Sequence, residues 1–227
     1  MNKYIIYIIA ALIVVSGGWF LLQQNRPDGG LAPDTVAEET QSSELSDGSY
    51  QVPAGSDLNW MGKKPLISGY EDYGKVEVKE GSFKVEGGEI NSGRVVLDMA
   101  SISTDRTGKE DGSGGDMLTR HLKSADFFDV ERFPEAVFVI NEASSTESGV
   151  YAVKGMLTVK DVSRPVEFQA YSYQNNGQDM LKGGFTIDRT EWNIKYGSGK
   201  FFSDLADRVI DDSISLSFDF PVYKQQL

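Results

Sequence analysis

Ser213 to Phe220 read "SISLSFDF". Ile214, Leu216, Phe218 and Phe220 alternate with Ser213, Ser215, Ser217 and Asp219. Successive side chains on a strand point to opposite faces, so this octet has one wholly apolar face and one wholly polar face. Wound as a helix, the same residues would scatter their phenylalanines around the cylinder. The stretch is a strand with a core on one side and water on the other.

The same period of two runs through the chain from Tyr50 onward. In "GRVVLDMASI", Val95, Leu97 and Met99 share a face opposite Asp98. In "EAVFVI", Ala136, Phe138 and Ile140 fall together. In "VYAVKGMLTVK", Tyr151, Val153, Gly155, Leu157 and Val159 oppose Lys154 and Thr158. In "RPVEFQAYSY", Val166, Phe168 and Ala170 oppose Glu167 and Gln169. Turn signals stand at Glu80-Gly81, Gly87-Gly88, Glu147-Ser148-Gly149, Asn175-Asn176-Gly177 and Gly183-Gly184. They predict an all-β fold of roughly eight antiparallel strands in short-looped order. Closure into a barrel removes the exposed edges of such a meander; a two-sheet sandwich is the alternative. The inward faces are rich in aromatics: Trp60, Phe83, Phe138, Phe168, Phe185, Trp192 and Phe218. Alternation does not say whether these rings fill the interior or line a cavity.

One segment breaks the alternation. "DMLTRHLKSAD" has Met117, Leu118, Leu122 and Ala125 at helical spacing, which predicts a short helix over residues 116–125 capped by Asp116. It carries His121, the single histidine of the chain.

Composition narrows the function. The net charge is −12, from 34 acidic and 22 basic residues, which excludes a nucleic-acid role because such a chain repels phosphates. There is no cysteine, hence no disulfide, thiol nucleophile or lipidated cysteine. One histidine excludes zinc sites built on several imidazoles. No G-x-S-x-G or comparable motif supports His121 as a catalytic base. Ser103–Asp116 has acids and glycines without calcium-loop spacing, and reads as a mobile loop able to cover one opening. Asp126 and Asp129 read as turn acceptors, Arg164 and Arg189 as surface or rim charges, and residues 196–211 as a long connection into the last strand. If extended, Phe127 and Phe128 face opposite ways, so at most one enters the interior and the other seals the helix to the barrel.

The amino-terminal end is different in kind. Tyr4 to Leu22 contain no charge, and as a helix would span roughly 28 Å, close to the bilayer core. Residues 1–22 therefore read as a transmembrane helix, with a cleaved signal peptide or a buried core helix as alternatives. Residues 23–48 are acidic and poor in large apolar side chains, the composition of a disordered linker. A domain at 49–224 follows. This order places the domain outside the cytoplasm, at a membrane or secreted.

"RHLKSADFFDVERFPEAVF" followed by "VKGMLTVKDVSRPVEF" resembles the YceI-like family. "SDLNWMGKK", "GSFKVEGGEINSGRVVLDMASIST" and "GGFTIDRTEWNIKYGSG" extend the resemblance over about Tyr50 to Val222. It implies a lipocalin-like barrel with an elongated apolar interior that binds a long-chain lipid such as a polyisoprenoid, with no enzymatic activity and no cofactor. Related chains carry a histidine between two glycines after the first Trp-containing strand; "SGYEDYG" stands here instead, with Tyr70 as a substitute hydroxyl. The candidate ligand-binding residues are Trp60, Tyr70, Phe83, Val95, Leu97 and Met99; Leu118, His121, Leu122, Phe127 and Phe128 on and after the helix; and Phe138, Ile140, Leu157, Phe168, Phe185, Trp192, Leu216 and Phe218. A filled barrel acting as a surface interaction or stress-response module is the alternative.

Overall fold

Alternating side chains become alternating burial. In the strand Val150–Val159, Tyr151, Val153, Gly155, Leu157 and Val159 are all buried and Lys154 is exposed. A computed structural model describes residues 42–105 and 113–226 of the chain. The strands are β1 (Gly48–Val52), β2 (Asp57–Lys63), β3 (Glu71–Glu86), β4 (Glu89–Thr104), β5 (Glu135–Glu147), β6 (Val150–Val159), β7 (Val162–Asn175), β8 (Gln178–Asp188), β9 (Ser213–Pro221) and β10 (Tyr223–Lys224). Among the described residues one α-helix, α1 (Ser113–Lys123), lies between β4 and β5.

Every pairing is antiparallel, in the order β10-β1-β3-β2-β9-β8-β7-β6-β5-β4, and β3 also pairs with β4. That last pairing closes β2 through β9 into a ring. β1 and β2 lie along the same edge of β3, opposite residues 81–85 and 71–77, so they act as one strand broken at Pro53–Ser56. The break is stitched to β3 by Gly55 N–H donating to the Val78 carbonyl and Val78 N–H donating to that of Ser56, both at 2.8 Å. β9 and β10 continue each other across Val222 and pair with β2 and β1 respectively. The barrel thus has eight positions around its ring, the expected number, although two of them are interrupted.

The two ends differ. At the base the connections are tight turns at Gly87-Gly88, Ser148-Gly149 and Asn176-Gly177. At the mouth they are residues 64–70, 113–134, 160–161 and 189–212; residues 106–112, part of the expected loop at 103–116, lie outside the described residues. Leu45 plugs the base at 2% exposure. Its N–H donates to the Tyr151 hydroxyl at 3.3 Å, Tyr50 donates to the Ser46 carbonyl at 2.8 Å, and Ser43 exchanges hydrogen bonds with Ser172. Ser42 to Asp47, assigned from composition to the linker, are therefore part of the barrel floor. The expected transmembrane helix and residues 23–41 of that linker lie outside the described residues, and Gly48 opens β1. Among the described residues no helix is long and apolar enough to cross a membrane.

Two expected turns are strand interior. Glu80-Gly81 lies within β3 beside a register shift at Val78/Glu80. Gly183-Gly184 lies within β8, where a Cβ on Gly183 would stand 2.7 Å from the Phe218 ring. That glycine makes room for a core aromatic and turns nothing. The helix begins at Ser113, three residues before the expected cap, and Asp116 sits in its first turn, where the helix dipole favours an acid. It ends at Lys123, where the Ser124 hydroxyl donates to the His121 carbonyl at 2.8 Å.

Candidate functional site

Inside the ring is a cavity of about 760 Å³, opening at the mouth. A ligand pocket for a small organic molecule typically falls between about 300 and 1,000 Å³. The wall is built by the inward positions of the strands. Phe168 stacks on Phe185 at 4.6 Å and meets Phe138 at 5.6 Å and Phe218 edge-on at 6.1 Å. Lower down, Phe218 stacks on Phe220 and Phe83 on Tyr50. The rings pack sideways along the wall and leave the axis open. Small residues make that possible: at Gly155 a Cβ would stand 2.5 Å from the Phe138 ring.

The polar ends of Trp60 and Trp192 are turned into the wall. Trp192 Nε1 donates to the Leu157 carbonyl at 3.0 Å, and Trp60 Nε1 donates to that of Ser103 at 3.2 Å. A buried indole needs such an acceptor, and satisfying it within the wall leaves the apolar faces for the cavity.

Polar groups gather at the mouth. His121 Nε2 lies 3.4 Å from the Asp126 carboxylate. Its ring meets Phe127 edge-on at 5.0 Å and Tyr196 edge-on at 4.5 Å. Tyr196 ties α1 to the β8–β9 connection, while Asp126 and Phe127 come from the turn that follows the helix; the group does not make a nucleophile–base pair. Lys63, Lys64, Tyr70, Asp72, Arg208 and Asp211 complete the rim, with Lys64 Nζ 4.9 Å above the Tyr70 ring. Among the described residues no cluster of His, Asp and Glu could hold a metal ion.

Every candidate residue from the sequence borders this cavity, from Trp60 on β2 and Tyr70 just after it to Leu216 and Phe218 on β9. Two expectations fail nearby. Phe127 and Phe128 both reach the cavity, because residues 124–128 turn: Phe127 N–H and Asp129 N–H both donate to the Ser124 carbonyl. Arg189 is no surface charge. It is 1% exposed and donates to the carbonyls of Ile194 (2.7 Å), Asp211 (3.0 Å) and Ile210 (3.2 Å). Its guanidinium also lies 3.4 Å from Asp212 and 5.9 Å from the Phe127 ring centre. Burial pushes its pKa below the usual arginine value, and Asp212, Asp188 and Asp211 oppose the shift. The rim residues Met117, Tyr196, Ile210 and Arg208 were not anticipated. The acid-free stretch "WNIKYGSGKFFS" was the available signal for part of that rim.

Comparison with known proteins agrees with this geometry. The model of the YceI-like domain matches residues 52–222. A UPF0312 protein of Pseudomonas putida (strain GB-1) is 32% identical over 122 residues, 51% of this chain and 63% of the relative. The chain thus spans less than two thirds of the curated relatives it first matches. Burkholderia cenocepacia BcnA superposes with a TM-score of 0.54 at 21% identity, over 74% of this chain and 96% of that one. A polyisoprenoid-binding domain from Saccharophagus degradans superposes with a TM-score of 0.55 at 14% identity, over 78% and 98%. At these identities the superpositions show a shared fold.

Proposed function

The chain belongs to the YceI-like family, and from that premise we propose that its barrel encloses a long-chain apolar lipid of the polyisoprenoid kind, as a non-catalytic carrier. The observation that carries the reading is the cavity: about 760 Å³, walled by aliphatic and aromatic side chains, with its charged groups confined to one open end. A filled barrel would have no such volume, so the open axis favours a carrier over a surface interaction module. Enclosure supplies the affinity. Burying about 400 Å² of apolar chain gains about 10 kcal/mol before ordering costs. The tail lies among Phe83, Phe138, Phe168 and Phe218, and the head group stays near Tyr70 and His121 at the rim. The Saccharophagus domain of the same fold, described as polyisoprenoid-binding, supports the ligand class. A location outside the cytoplasm, held to a membrane by the uncharged run at residues 4–22, belongs to the same proposal and draws on the sequence alone.

Trp60 and Trp192 both border the cavity and report on it directly. Titration with a polyprenyl quinone should quench their emission to saturation at one equivalent, and a non-quenching polyprenol should restore it by competition. Emission that ignores both lipids would rule out the carrier.

A further inference from the structure

Among the described residues, the exposed large hydrophobic side chains are not scattered. All except Val139 and Tyr223 belong to the mouth end. Leu66 (64% exposed) and Ile67 lie on the β2–β3 connection; Phe201 (48%) and Phe202 (47%) lie on the β8–β9 connection. Met117 on α1 and Tyr196 are both exposed and part of the cavity lining, so these two side chains belong to the wall and to the outer surface at once. Single exposed hydrophobes need no explanation, but a group around an opening marks an interaction surface.

Charge identifies the partner. The two stretches that bear Leu66, Ile67, Tyr196, Phe201 and Phe202, "LNWMGKKPLISGY" (58–70) and "WNIKYGSGKFFS" (192–203), contain no acid, in a chain with 34 acids. Each carries two lysines. Lys63 and Lys200 are engaged with Glu71 and with Asp188 and Asp212. Lys64 and Lys195 instead lie over aromatic rings of the same loops, 4.9 Å from Tyr70 and 4.7 Å from Phe201. Apolar tips with cations set beside them suit the boundary between acyl chains and anionic head groups. We propose that the mouth end docks on a bilayer containing anionic lipid, with Leu66, Ile67, Phe201 and Phe202 entering it and Lys64 and Lys195 at the head groups. The cavity then opens into the bilayer, and an apolar chain moves between the two without crossing water. The choice of a bilayer as partner rests on the carrier reading, and the two are separable by experiment.

The chain has no cysteine, so Ser203→Cys at the mouth and Ser148→Cys at the base each give one labelling site. Both variants of the full chain carry an environment-sensitive fluorophore. They are mixed with vesicles of phosphatidylcholine and phosphatidylglycerol, with and without brominated acyl chains. The mouth label should shift to the blue and be quenched by bromine while the base label is unchanged. Phe201→Ser with Phe202→Ser should lower the docked fraction at least about tenfold. No quenching at the mouth, or equal quenching at both sites, overturns the proposal. So does a blue shift that grows with protein concentration in the absence of vesicles, which would mean that two copies pair by this face. A quenched mouth label on a chain whose organic extracts hold no lipid would sink the carrier reading and leave docking in place. Lipid in the extracts with an unquenched mouth label would do the reverse.

Discussion

Replacing Arg189 by methionine tests whether the mouth is built around one buried cation. The guanidinium serves the carbonyls of Ile194, Ile210 and Asp211, all in the connection between β8 and β9. Methionine fills similar space but leaves these acceptors unserved. Asp212 is spared the worst, since Lys200 Nζ remains 3.3 Å from it. Stranded buried acceptors cost roughly 1–3 kcal/mol each, and breaking a buried ionic group roughly 3–5 kcal/mol in all. Because the carbonyls lie at an open end, partial hydration recovers some of the loss, so about 3–5 kcal/mol is expected in total. In a domain of this size that lowers Tm by about 6–20 °C. Arg189→Lys keeps the charge but not the fork that reaches three carbonyls, and about half the loss should remain. Urea and thermal unfolding give the magnitude, and hydrogen exchange should show the largest gain over residues 194–212. A loss of less than about 1 kcal/mol in the methionine variant, or exchange unchanged in that connection, would refute the reasoning.

Leu45→Ala empties the plug at the base, where Leu45 is 2% exposed, and should cost about 2–4 kcal/mol in urea unfolding; a neutral result would mean that the floor holds without it. Gly155→Val would drive a side chain into the Val139 carbonyl and the Phe138 ring, so it should either prevent folding or, if tolerated, abolish tryptophan quenching by lipid. Tyr173 donates to Asp219 at 2.7 Å, and burial followed by that bond pushes its pKa up to about 12. The folded state therefore holds this proton more tightly than the unfolded chain. Its contribution is complete below about pH 10 and is lost as the pH rises toward 12. Unfolding titrations across that window should show a decline that Tyr173→Phe reduces.

The walls were legible because their physics is local. Period-two alternation put Val153, Leu157, Phe168 and Phe218 on the inside with no knowledge of the partner strands, and closure follows from the cost of open edges. What alternation cannot express is close packing across strands. Gly183 looked like a turn because glycine breaks strands on average, yet here it accommodates the ring of Phe218, its direct partner on the neighbouring strand β9. Phe127 and Phe128 were expected to split because the segment was taken as extended; a hydrogen-bonded turn brings both inward. Arg189 looked exposed because a lone arginine next to an aspartate usually is. Its burial depends on three carbonyls supplied by residues that follow it in the chain, and no short window of sequence contains that set. Leu45 was hidden by its acidic neighbours, whose composition described their solubility and not the one side chain that anchors them.

The most direct test of lipid enclosure is mass spectrometry of organic extracts from the chain purified natively from bacterial membranes. The preparation must retain Ser42 to Asp47, since these close the base. The expected result is one long-chain isoprenoid lipid per chain. A protein that comes away empty, and that stays empty after incubation with polyprenols and polyprenyl quinones, would contradict enclosure and return the barrel to the class of surface interaction modules.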